Sequence, residues 1–121
     1  MKKFAVILHA EPGTHDALGR ALHALLYSQE LFENGFEVKL IFDGGGTRWV
    51  QEMLQPDHKL HALFSSRHQE GVVGGVCDFC IDAFDGDMEV VRNQGLKLVS
   101  DYQGHPSVAQ LAKDGFQIVT L

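Results

Sequence analysis

Cys77 and Cys80 stand three positions apart and are the only thiols in the chain. A C-x-x-C pair can close a disulfide, pass a sulfur atom, or give two ligands to a metal. At a strand-to-helix turn, exposed backbone N–H groups would favour the Cys77 thiolate and make it nucleophilic. Asp78, Asp82, Asp85 and Asp87 follow closely, and their charges oppose that ionisation. A zinc site needs three or four ligands. The pair gives two, and His9, His105 or an aspartate would have to complete the set without an H-x₃-H partner, so no metal is expected. The plain alternative is that both cysteines pack as small hydrophobes.

His105, just ahead of Pro106, reads in two ways. It is an acid–base group beside the thiols, or it opens a helix whose first position is proline. Asp43-Gly44-Gly45-Gly46-Thr47-Arg48 could hold a phosphate on exposed backbone N–H groups. It matches neither G-x-x-x-x-G-K-[ST] nor G-x-G-x-x-G, and three successive glycines equally suit a place where two chain segments approach closely. His9 and Tyr102 complete the candidate ligand-binding group, His9 read as a buried, hydrogen-bonded residue. His15 and His23 belong to the first helix, and His58, His61 and His68 read as solvated helix-face residues.

These residues need a frame that brings them together. Lys3 to Leu8 and Phe36 to Phe42 are apolar runs of the kind found in strands covered on both faces. Between them, Thr14 is a good N-cap for a long amphipathic helix closed by Asn34-Gly35. A helix opening at Thr47 ends near Pro56, and a more polar one spans about Lys59 to Arg67. Val72 to Val76 is a third strand despite Gly74 and Gly75. Short helices follow at Ile81 to Phe84 and Met88 to Asn93. Lys97 to Val99 forms a fourth strand, a helix starts at His105-Pro106-Ser107, and Phe116 to Thr120 forms a fifth strand. Such alternation predicts a three-layer α/β/α sandwich on a mainly parallel five-stranded sheet, its order open. Ligands of such sheets sit beyond the carboxyl ends of the strands, where His9, Asp43, Cys77 and His105 all fall.

At 121 residues the chain suits one α/β domain spanning 1–121. Sixteen acidic against ten basic residues, with no basic cluster, argue against nucleic acid. No apolar run approaches the ~18 residues of a spanning helix, so no membrane insertion is expected. Met1-Lys2-Lys3 and the run after it resemble a signal peptide only until His9 and Glu11 interrupt, so a cytoplasmic protein is expected.

Val76-Cys77-Asp78-Phe79-Cys80, Gly104-His105-Pro106-Ser107 and the closing Gly115 to Thr120, with Phe42-Asp43-Gly44-Gly45-Gly46-Thr47 after the second strand, resemble the DsrE/DsrF-like family over nearly the whole length. The resemblance implies a five-stranded sandwich assembling as a homotrimer or homohexamer. It also implies sulfur relay through a persulfide on the residue matching Cys77, exchanged with donor and acceptor proteins, without a cofactor. Cys80 and the lack of an arginine-rich segment after Cys77 depart from the hetero-oligomeric relay subunits. On this reading Cys77 takes up sulfur, Cys80 resolves or protects it, and His105 acts as base. Two other functions fit the residues: a small-molecule or nucleotide-binding oligomeric module, and a thiol-redox protein cycling a Cys77–Cys80 disulfide. Phe84, Trp49 and Tyr102, if exposed, would favour burial against symmetric copies.

Overall fold

The computed structural model describes residues 2–121. Strands β1 (Lys3–Leu8), β2 (Glu37–Phe42), β3 (Val73–Cys77), β4 (Leu98–Val99) and β5 (Phe116–Thr120) form a single sheet in the order β4-β3-β2-β1-β5. Every pairing is parallel. Helix α1 (His15–Glu33) joins β1 to β2. A 3₁₀ turn (Gly44–Thr47), α2 (Arg48–Met53) and α3 (His61–Gln69) lead to β3. Helices α4 (Asp78–Ala83) and α5 (Met88–Asn93) lead to β4, and α6 (Val108–Lys113) leads to β5.

The strand order dictates the layering. From β1 to β4 the chain steps across the sheet in one direction, so right-handed crossovers put α1, α2, α3 and α5 on one face. The return from β4 to β5 runs the other way and puts α6 on the opposite face. The two cores follow suit. The larger one joins Val6, Leu8, Leu40, Phe42 and Val76 of the sheet to Leu25, Val50, Phe64 and Val91 of those helices. The smaller one joins Ala5, Ile7, Ile41 and Phe116 to Leu111 of α6. The expected three layers are therefore present but unequal. Burying each large side chain such as Phe42 or Phe64, both at 1% exposure or less, contributes roughly 1.5–3 kcal/mol.

Local signals placed most elements. The Thr14 side chain accepts from the Ala17 N–H and opens α1, as its N-cap position predicts. Two glycines in or beside the strands mark close approach of neighbouring segments. A Cβ on Gly46 would sit 1.9 Å from the Leu8 carbonyl oxygen, and one on Gly75 would sit 2.0 Å from Val99 Cγ2. Gly75 thus lets β4 lie against β3.

Several details differ from the sequence reading. The glycine run forms the 3₁₀ turn rather than a loop before a helix, and α2 begins at Arg48. Helix α4 starts at Asp78, directly after Cys77, rather than at Ile81. Pro106 is not the first residue of α6: Ser107 caps that helix by accepting from the Gln110 N–H. Trp49 is buried, its Nε1 donating to the Ala10 carbonyl at 2.8 Å, and Phe84 is half-buried; of the three aromatics, only Tyr102 is exposed. His58, His61 and His68 are half-buried rather than solvated. His61 Nδ1 bonds to the Met53 carbonyl at 2.8 Å and His68 Nε2 to the Gln94 carbonyl at 2.9 Å, so these rings tie α3 to its surroundings.

Candidate functional site

Four segments meet at the carboxyl edge of the sheet. Cys77 ends β3 and stands at the N-cap position of α4; Cys80 lies one turn into that helix. Asp43 follows β2. His105 sits in the return segment between β4 and α6. One donor atom from each residue, the two Sγ atoms, a carboxylate oxygen and an imidazole nitrogen, lies within 4.8 Å of all the others.

The contacts are specific. His105 Nδ1 is 3.2 Å from Cys77 Sγ and 3.6 Å from Cys80 Sγ. Cys80 Sγ lies 3.6 Å from Asp43 Oδ1. The Cys77 thiol also points at the Gly104 carbonyl, at 3.6 Å. Both thiols are free and buried, Cys77 at 0% exposure and Cys80 at 5%.

Backbone geometry aims the imidazole. Tyr102 and His105 exchange two backbone hydrogen bonds of 2.8 Å across a tight turn. Both central residues have positive φ, Gln103 at 49° and Gly104 at 84°, as a type I′ turn, one of the primed turns of two-residue hairpins, requires. The Gly104 carbonyl accepts from the Phe79 N–H at 3.1 Å, which docks the turn on the start of α4. The Phe79 ring, 58% exposed, covers the His105 ring with centroids 4.8 Å apart. A shallow groove lined by Asp78, Phe79, Asp82, Ala83 and Gly104 lies beside it.

Asp43 is held from the other side. Its Oδ1 accepts from the Gly44 N–H at 2.9 Å, and its Oδ2 lies 3.3 Å from His9 Nε2. The His9 hydrogen bond holds the Asp43 carboxyl down at about 2, against an ordinary 3.8, and outweighs the opposing effect of burial. Burial has the reverse consequence for Cys77. It pushes that thiol well above its ordinary range, and the side chains of Cys80 and Asp43 add to the effect. The aspartate that opposes ionisation is thus Asp43, while Asp82, Asp85 and Asp87 are exposed.

The structure therefore brings together Cys77, Cys80, His105 and Asp43, with His9 at the rim. His9 is hydrogen-bonded as expected but is exposed rather than buried. Tyr102 contributes its backbone, while its ring is 61% exposed. The phosphate cradle is not available in the form expected. The Gly44 and Gly46 N–H groups already donate to the Asp43 side chain and carbonyl, and Arg48 is paired with Glu11 at 3.1 Å. The glycine run instead fits closely against the segment after β1 and positions Asp43. Of the residues that could complete a metal set with the two thiols, the tertiary structure brings His105 and Asp43 within reach of both. Phe79 and Thr47, whose hydroxyl donates to the Cys80 carbonyl at 3.3 Å, also belong to the site; in the sequence they stand out only as part of the C-x-x-C segment and as the residue after the glycine run, with nothing to mark these contacts.

Fold and cluster together define the class: a parallel α/β protein with a buried dithiol, an imidazole and a carboxylate at its strand ends. The chain is 33% identical over 100 residues to the uncharacterized protein MJ0733 of Methanocaldococcus jannaschii, and it belongs to the same family. That match covers 83% of this chain and 78% of the archaeal protein. No family model matches the sequence. In fold it is similar to BT1422 of Bacteroides thetaiotaomicron, a conserved protein of unknown function, with a TM-score of 0.63 over 97% of this chain and 94% of the other. At 14% identity that likeness concerns the fold alone.

Proposed function

We propose that this protein carries sulfane sulfur on the Cys77–Cys80 pair, as its resemblance to the DsrE/DsrF-like family implies. The observation that carries the reading is one imidazole nitrogen within 3.2 and 3.6 Å of two thiols at a strand end. In the loading step the Cys77 thiolate attacks the terminal sulfur of a donor persulfide, R–S–SH. The donor S–S bond breaks, R–S⁻ leaves, and Cys77 becomes Cys77–S–SH. His105 takes the proton that Cys77 gives up. In transfer, an acceptor thiolate attacks the terminal sulfur of Cys77–S–SH, forming the acceptor persulfide and returning the Cys77 thiolate. Without an acceptor, the Cys80 thiolate attacks Cys77 Sγ and expels HS⁻, leaving a Cys77–Cys80 disulfide that a dithiol reductant returns to two thiols. Burial shields the terminal sulfur from water and makes loading depend on movement of Phe79 and of the Tyr102–His105 turn.

The natural exchange partners on this reading are donor and acceptor proteins that approach the groove beside Phe79. The free thiols suit a reducing compartment such as the cytoplasm. A homotrimer or homohexamer is in keeping with a sheet face covered by α6 alone and with exposed Tyr102 and Val108. Sedimentation equilibrium at micromolar concentration tests the assembly, a monomer contradicting it.

Intact-mass spectrometry of reduced, chelator-treated protein exposed to a persulfide donor tests the function. Wild type should gain reductant-labile sulfur, Cys77→Ser should not, and Cys80→Ser should load and hold its sulfur longer. Loss of two hydrogens without sulfur gain, abolished by either substitution, would make the pair a redox switch instead.

A further inference from the structure

We propose that Asp43, Cys77, Cys80 and His105 form a tetrahedral binding site for a borderline-soft divalent cation of the Zn²⁺ class. This inference stands on the donor geometry and does not depend on sulfur carriage.

Bonds of about 2.3 Å to sulfur and 2.0–2.1 Å to nitrogen or oxygen at the tetrahedral angle set donor atoms about 3.3–3.8 Å apart. The Cys77–His105, Cys80–His105 and Cys80–Asp43 separations are 3.2, 3.6 and 3.6 Å. All four donors converge within 4.8 Å. Few side-chain shifts are therefore needed for them to share one ion. Two thiolates, an imidazole and a carboxylate are a zinc donor set; hard cations such as Mg²⁺ and Ca²⁺ select oxygen shells.

The surroundings match what such a site requires. Asp43 is oriented from outside by His9 and by the Gly44 N–H, an outer-shell arrangement of the kind that fixes metal-ligating carboxylates. The primed turn and the Phe79 ring fix the His105 imidazole with Nδ1 toward the sulfurs. Among the described residues no lysine or arginine ion pair reaches Asp43. A divalent cation would offset two of the three negative charges carried by the Asp43 carboxylate and the two thiolates it creates. On binding, both thiol protons pass to solvent and two Cys–metal bonds form, with no change in oxidation state. The ion would join the ends of β2 and β3, helix α4 and the β4–α6 return segment. It also engages the sulfurs that would accept sulfane sulfur, so metal and sulfur loading exclude each other.

The test uses the full chain, reduced and freed of metal by chelation. Zn²⁺ is titrated against a chromophoric chelator, and Co²⁺ serves as the spectroscopic probe. One ion per chain is expected, with the sulfur-to-cobalt charge-transfer band and intense visible bands of four-coordinate Co²⁺. Cys77→Ser and Cys80→Ser should each reduce the charge-transfer band. His105→Ala should weaken Zn²⁺ binding by more than about 10-fold, a loss that even an outer-shell change can cause. His9→Ala, as a positioning change, should weaken binding while leaving the cobalt spectrum in place. Binding well below one ion per chain overturns the proposal, as does a six-coordinate cobalt spectrum or binding indifferent to both Cys77→Ser and His105→Ala. Circular dichroism of each variant separates loss of a ligand from loss of fold, and His105→Ala removes only a half-buried ring. Sulfur loading is measured on metal-free protein, so either proposal can fail while the other stands.

Discussion

The imidazole nitrogen Nδ1 of His105 lies 3.2 Å from Cys77 Sγ across 28 positions of sequence. The contact depends on a turn that crosses the carboxyl edge of the sheet, so the thiols gain their imidazole only when β4 and α6 are in place. Changes that loosen this edge should alter thiol reactivity before they alter overall stability.

Phe79→Ala should expose the cluster. With the ring gone, alkylation of native Cys77 and Cys80 by iodoacetamide should accelerate several-fold, followed by mass spectrometry. Because the ring is 58% exposed, unfolding stability should change by only about 0.5 kcal/mol. Equal labelling rates in wild type and variant would mean that the thiols are reached by another route.

Gly46→Ala should be strongly destabilising. The added methyl would meet the Leu8 carbonyl oxygen at 1.9 Å, and backbone cannot swing aside as a side chain does. A loss of about 3 kcal/mol or more in urea unfolding is expected, at or above the top of the usual overpacking range. Full stability would show that the 3₁₀ turn repacks freely.

Asp43 should make folding sensitive to acid. Its folded pKa, about 2, lies below the ordinary 3.8, so the contribution is complete above pH 4 and is lost as pH falls from about 4 to 2. Allowing for partial exposure, the effect is on the order of 1 kcal/mol. His9→Ala removes the main cause, so the Asp43 carboxyl should titrate closer to 3.8, read by NMR. An unmoved titration would locate the cause elsewhere.

Gln103→Asn should stabilise the turn. Gln103 sits at φ 49°, a left-handed conformation that asparagine tolerates better. A gain of up to about 0.5 kcal/mol in thermal or urea unfolding is expected, with thiol labelling slowed. A loss of stability would mean that the Gln103 side chain makes a contribution of its own.

Metal loading should raise the melting temperature. At 100-fold excess over its dissociation constant, an ion that binds only the folded state adds about 2.7 kcal/mol, or roughly 10 °C for a chain of this size. Scanning calorimetry with and without Zn²⁺ reads the shift, and Cys77→Ser should diminish it at the same Zn²⁺ concentration.

Much of this molecule was legible from local pattern. The limits of β1, α5 and β5, the Thr14 cap and the alternation of strands and helices follow from apolar spacing and capping chemistry, which act over a few residues. So does the expectation that His9, Asp43, Cys77 and His105 gather at one edge, since parallel strands present their carboxyl ends together. The tertiary structure decided the rest. Strand order is a matter of long-range pairing, and it left one face to α1, α2, α3 and α5, with Ile81 of α4 in the same core, and the other to α6. The role of Asp43 depended on strand β2 lying beside β3, so a residue read as part of a phosphate loop stands against Cys80 instead. The protonation of Cys77 depended on burial and on that carboxylate. Neither is a property of a C-x-x-C motif, because desolvation and charge proximity arise only when separate segments pack.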